Sequence, residues 1–133
     1  MPYLNLKLCG ASSQETAGLI AKCLTDLTAE ILNKKPELTA VAVEFAAPSL
    51  WYIGGISLAD QSLRSFHLNI TVTEGTNTKD EKALYALRAF AAIEAIVGNL
   101  APATYIVIHE VHADAWGYQG QTQEFRYVRG KAM

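Results

Sequence analysis

The chain is poor in cysteine, histidine and charge, and each shortage closes a class of function. Only two cysteines, Cys9 and Cys23, occur in 133 residues, and their spacing suits neither a metal knuckle nor a disulfide framework. Two reduced thiols in a cytoplasmic protein are the expectation. Of the three histidines, His109 and His112 sit three apart in a strand pattern and so face opposite ways. No metal site is expected from them. Charged residues make up 18% of the chain and the net charge is −2, which supplies no electrostatic reason to expect nucleic acid. No apolar run approaches the roughly 18 residues of a membrane span. No basic segment leads a hydrophobic stretch at the N-terminus, so neither a membrane nor a signal peptide is expected. Gly54-Gly55 is not followed by a helix start with a Lys-Ser/Thr pair, and phosphate cradling is unsupported.

What the chain has is a hydrophobic half and an internal repeat. Hydrophobic residues are 50% of the total, which fits one packed domain over 1–133. Leu4-Asn5-Leu6-Lys7-Leu8 recurs as Leu68-Asn69-Ile70-Thr71-Val72, 64 positions later. Both runs alternate, so Leu4, Leu6, Leu8, Leu68, Ile70 and Val72 take the buried faces. Each run leads into a helix pattern. Ser12 with Glu15, and Thr78 with Glu81, have capping-box spacing. The first helix buries Ile20, Leu24, Leu27 and Ile31 and stops before Pro36. The second presents Ala83, Leu87, Phe90, Ile93 and Val97 and stops at Gly98-Asn99.

A further strand follows each helix, Ala40 to Phe45 and Tyr105 to Val111, and then an aromatic-glycine segment. Trp51 and Trp116 stand 65 apart, as do Gly55 and Gly120. The expected pseudo-repeats are about 2–60 and 66–120, with a C-terminal tail over 121–133. Two such units make a β-α-β-β-α-β domain of α+β class, a four-stranded mixed sheet with two helices on one face. The other face would carry Asn5, Lys7, Asn69, Thr71, Tyr105 and Val107. Its mixed polarity suits either subunits around a wet channel or a solvent-facing sheet in a monomer.

Pro2 directly precedes the first strand. Trimming of Met1, the normal fate of an initiator methionine before a small residue, would leave a secondary amine there. An α-amino group titrates near 8, and apolar burial lowers that value, which suits proton transfer at neutral pH. The alternative is a proline that opens an edge strand, where its missing N–H does no harm.

Four features together resemble the tautomerase superfamily, which includes 4-oxalocrotonate tautomerase and macrophage migration inhibitory factor (MIF). They are Pro2 before the first strand, the doubled strand–helix–strand unit, the stretch Lys35-Pro36-Glu37-Leu38-Thr39-Ala40-Val41-Ala42-Val43, and Gly54-Gly55. The resemblance implies a tautomerase/MIF-like fold, a homotrimer, and a cofactor-free isomerase acting on a small carbonyl or dienol carboxylate. It implies Pro2 as the catalytic base, Lys35 near the substrate's anionic group, and Tyr105 contributed by an adjacent chain. Asn69 falls where the family has a backbone N–H facing substrate. Val107 departs from the asparagine of the cytokine branch. Thr73-Glu74-Gly75-Thr76 stands where the dehalogenase and decarboxylase branches carry an arginine pair. That favours proton transfer over a decarboxylase, dehalogenase or hydratase using protonated Pro2 as acid. A non-catalytic trimeric binding module is the reading from outside enzymes.

Each side chain has an ordinary role beside the chemical one. Lys35 either holds a carboxylate or favours a helix C-terminus. Tyr105 either polarises an enolate oxygen or packs within its strand. Trp51, Trp116 and Tyr118 either line an apolar pocket wall or anchor the two hairpins. Arg64, Arg126 and Arg129 are candidates for a second carboxylate contact, because a guanidinium fork matches that group.

Overall fold

Strands form where apolar residues alternate, and helices where they recur every three or four positions. The structure, a computed structural model, describes residues 1–132. In chain order the first copy runs β1 (Tyr3–Cys9), α1 (Gln14–Leu32), β2 (Ala40–Ala46), the hairpin β3 (Tyr52–Ile53) with β4 (Ile56–Ser57), and the short α2 (Leu58–Gln61). The second copy runs β5 (Phe66–Thr73), α3 (Lys79–Val97), β6 (Tyr105–Val111), the hairpin β7 (Gly117–Tyr118) with β8 (Gln121–Thr122), and α4 (Gln123–Ala132). Every element after the first strand recurs 65 positions on. Residues 121–132, expected as a tail, therefore close a hairpin and form a helix. Their polar composition carried no apolar stripe from which to read that helix.

The main sheet has the order β2-β1-β5-β6. Within each copy the two strands are parallel, and the copies meet through antiparallel β1 and β5. Asn5 faces Asn69 across that central pair. The two copies therefore run in opposite directions. The start of β1 lies beside the end of β5, and the start of β5 beside the end of β1.

Leu4, Leu6, Leu8, Leu68 and Ile70 are wholly buried, and Val72 nearly so, against α1 and α3. The α1 stripe Ile20, Leu24, Leu27 and Ile31 is buried as its spacing predicts. In α3 Ile93 is buried and Phe90 and Val97 pack against the core as expected, whereas Ala83 and Leu87 are exposed and Tyr85 and Ala89 complete the buried row. A purely apolar count passed over Tyr85, which is buried because its hydroxyl finds a partner. Thr28 Oγ1 donates to the Leu24 carbonyl at 2.6 Å, so the Tyr85 hydroxyl donates to Thr28 Oγ1, 2.9 Å away. Burial pushes the Tyr85 phenol up to about 12, so it stays neutral across the physiological range.

The Thr78–Glu81 capping box is complete. The first cap is Ser13, one residue later than expected, and its side chain accepts from Thr16 N–H at 3.1 Å. Adjacent serines offer equivalent hydroxyls, and the backbone is still extended at Ser13. Helix α1 ends at left-handed Asn33, three residues before Pro36. Gly98 ends α3 with positive φ but an extended ψ, and Asn99 supplies the left-handed residue.

Tyr85→Phe should lower unfolding free energy by about 1 kcal/mol, the usual net worth of one neutral hydrogen bond. Combined with Thr28→Val, the loss in urea titrations should be smaller than the sum of the two single losses.

Candidate active site

At the β1 start three cavities meet. Pro2 is buried, and its carbonyl accepts from Ala40 N–H at 3.2 Å, which locks it to the β2 edge. Three cavities of about 230, 650 and 270 Å³ all border Met1, and the last also borders Pro2, Leu38, Ala40, Trp116 and Tyr118. The loop after α1 supplies one wall. The second hairpin and α4 supply the other, because antiparallel pairing brings the end of the second copy to the start of the first.

Met1 is held by the groups that surround it. Trp116 Nε1 donates to its carbonyl oxygen at 2.9 Å, and the Arg126 guanidinium donates to its sulfur. Arg126 also lies 4.4 Å above the Tyr118 ring, a contact that holds the guanidinium in place. Burial first, then the charges of Lys34 and Arg126, pull the Met1 amino group below its ordinary value. Lys34 Nζ donates to Thr76 Oγ1 at 2.8 Å, and burial lowers its own ammonium, with Glu81 opposing. The smallest cavity is lined by Lys34, Lys35 and Arg126 and by no carboxylate. Such a wall has the charge to attract an anion.

Among the residues expected from sequence, Pro2, Lys35, Trp116, Tyr118 and Arg126 meet around these cavities. The others lie elsewhere in the chain. The Arg64 guanidinium donates to the Cys9 carbonyl at 3.0 and 3.2 Å and to Val97 at 3.5 Å, at the far end of β1 from Pro2. Three carbonyl contacts leave that fork occupied as a structural clasp. Tyr105 and Asn69 lie on the open sheet face. Tyr105 pairs with His67, two strands away from Pro2, and is 62% exposed. Asn69 is laddered to Asn5 and to Val107, which engages its backbone in the sheet. Its side chain meets His109 Nε2 at 3.0 Å. His112 pairs with Glu74 at 2.6 Å, away from His109. The Arg129 guanidinium lies 6.0 Å from the Phe125 ring centroid. Among the described residues no group of three or more His, Cys, Asp or Glu could hold a metal ion. No helix among them is long and apolar enough to cross a membrane.

Two site residues escaped the sequence reading. Lys34 sits beside Lys35, and nothing in the sequence says which ammonium turns inward. Gln123 lines two of the cavities, and its Nε2 is buried with no hydrogen-bond partner among the described residues. The repeat held the signal for it. Sixty-five positions earlier stands Leu58, which is wholly buried. The first copy has an apolar plug where the second has an amide. Gln61, in the place of Arg126, likewise turns inward and donates to the Ile53 and Ile56 carbonyls.

No protein-family model and no curated protein matches the chain. Solved structures do. A wild-type fused 4-OT described as a symmetric trimer superposes with a TM-score of 0.80 at 15% identity, covering 92% of this chain and 96% of its own. Pt0534 inactivated by 2-oxo-3-pentynoate gives 0.81 at 10% identity, with 92% and 98% covered. A MIF-like protein from Entamoeba histolytica gives 0.75 at 20% identity, with 91% and 97% covered. The β-α-β repeat, the four-stranded mixed sheet and these superpositions together establish that the chain has the tautomerase-superfamily fold.

Proposed function

We propose that this protein is a cofactor-independent tautomerase that interconverts keto and enol forms of a small carbonyl or dienol carboxylate. The observation that carries the reading is the pair of cations, Lys34 and Arg126, that face the chain start from two sides of a partly buried cavity. Removal of Met1 makes the Pro2 nitrogen a secondary amine. The same burial and the same two charges then disfavour its protonated form, so it serves as base at neutral pH.

In the enol-to-keto direction Pro2 receives the hydroxyl proton and a proton is returned to the α-carbon. No atom is gained or lost. Lys34, with Lys35 at the cavity wall and Arg126 opposite, holds the carboxylate. Arg126 suits this task because its planar fork is held over the Tyr118 ring. A homotrimer completes the site, with Tyr105 and Asn69 presented to a neighbouring copy from the open sheet face. Support for assembly comes from the exposure of Tyr105 and Val107 on that face and from the trimeric state of the fused 4-OT neighbour.

Pro2→Ala should cut kcat/KM for enol-phenylpyruvate ketonisation at least a hundredfold, followed by ultraviolet absorbance. Turnover at the parent rate would remove Pro2 from the chemistry. In the parent, kcat/KM should rise with pH as the amine loses its proton. The inflection should lie below the ordinary α-amino value of about 8, because burial and two cations depress it. An inflection well above that value would make Pro2 an acid instead.

Replacing Lys34 or Arg126 by Gln should raise KM roughly ten- to a hundredfold, the worth of one charge-assisted contact of about 1.5–3 kcal/mol. Lys35→Gln should do less, since Lys35 is exposed. Steady-state kinetics on a carboxylate substrate and on its methyl ester separate the two effects, because KM for the ester should be indifferent to all three changes, while loss of Lys34 or Arg126 should move its pH profile upward.

A further inference from the structure

The oxygen of the Met1–Pro2 peptide marks a position that a reacting oxygen would use. Trp116 Nε1 donates to it at 2.9 Å. Covalent geometry puts that oxygen only about 2.2 Å from the Pro2 nitrogen. The backbone that carries the donor is held independently of Met1. The Trp116 carbonyl accepts from Gln123 N–H at 2.8 Å, and the residue leads directly into the β7–β8 hairpin. When Met1 leaves, the indole N–H loses its acceptor, while the Pro2 nitrogen becomes an amine.

We propose that Trp116 is a catalytic residue whose indole N–H binds the substrate oxygen that gains charge as Pro2 moves the proton. The proposal rests on the reading of Pro2 as the base. A base that reaches an α-carbon at about 3–3.5 Å must leave the attached carbonyl oxygen within a few ångströms of itself. The Met1 carbonyl oxygen, bonded through its own carbon, marks the direction; an unbonded oxygen would sit further out along it, at about 2.7 Å or more from the nitrogen. Indole nitrogen donates and does not accept, so it meets an enolate oxygen without competing for the proton. An apolar wall, the role expected of Trp116 from sequence, would need only the ring. Here the N–H itself is aimed at the chain start.

The first copy shows what the same motif does without a chain start. Trp51 also leads into a hairpin, and its carbonyl accepts from Leu58 N–H at 2.8 Å. The strand start at that end of the sheet is Phe66, preceded by Arg64 and Ser65, which are tied to Cys9 and Ala103 carbonyls. No terminus is available there, so the tryptophan that faces an amine is Trp116.

The test changes one atom. Site-specific replacement of Trp116 by β-(3-benzothienyl)alanine exchanges the N–H for sulfur and keeps the ring. In the Met1-free protein kcat should fall about 10²-fold on enol-phenylpyruvate, with KM moved less than about threefold. A kcat within twofold of the parent overturns the proposal. A second measurement stands apart from turnover. With the ¹⁵N-labelled parent, adding phenylpyruvate should move the Trp116 indole N–H resonance downfield while that of Trp51 stays put. No movement at saturating ligand overturns the proposal as well. An inactive parent whose Trp116 resonance still moves would sink the tautomerase reading and leave the donor assignment supported.

Discussion

The antiparallel pairing of β1 with β5 is the constraint from which the site follows. Each strand has one apolar face, and a slip of one residue would turn Leu4, Leu6 and Leu8 or Leu68, Ile70 and Val72 out to solvent. Burial of both rows against α1 and α3 therefore fixes the register in which Asn5 meets Asn69. Because the strands run oppositely, everything that follows β5 in the second copy ends beside the start of β1. The hairpin at Gly117–Thr122 and helix α4 are thereby delivered to Pro2 by a packing requirement at the sheet centre.

Duplication produces two equivalent sheet ends, and the sequence closes one of them. At the Phe66 end, the Arg64 guanidinium takes the Cys9 and Val97 carbonyls, and its backbone pairs with Asn99 and Ala101. Gly10 is needed there, since a side chain on it would collide with the Arg64 guanidinium. Leu58 and Gln61 finish the seal by turning inward. At the Pro2 end their counterparts Gln123 and Arg126 face the chain start. Asn99 and Leu100 replace Lys34 and Lys35 in the closed half, so the lysine pair belongs to the open one, while the Arg64 charge of the closed half is taken up by carbonyls. A closed end and a cavity-bearing end are thus divided between two copies of one motif.

Much of the fold was legible because periodicity is a property of the chain. The alternating runs, the α1 stripe, the Thr78–Glu81 cap and the two aromatic-glycine segments each state their local structure. Where the local signal was degenerate, the reading shifted or failed. Neighbouring serines left the first cap open by one residue. Apolar counting misplaced the first half of the α3 stripe, since Tyr85 becomes a core residue only once Thr28 is across from it. Helix α4 had too few apolar residues to announce itself and was visible only through its 65-residue correspondence with α2.

The order of residue types along the chain determined a doubled β-α-β unit, its buried faces and a proline positioned at the head of the first strand. Which side chains surround that proline was decided by tertiary structure. Lys34 rather than Lys35 is the half-buried cation, Arg64 is turned away to clasp carbonyls, and the Trp116 indole directs its N–H toward the chain start. The reason is physical. Spacing determines which face of an element a residue occupies, but the direction of an ammonium, a guanidinium or an indole N–H is settled by the acceptors and charges that only the assembled fold brings within reach.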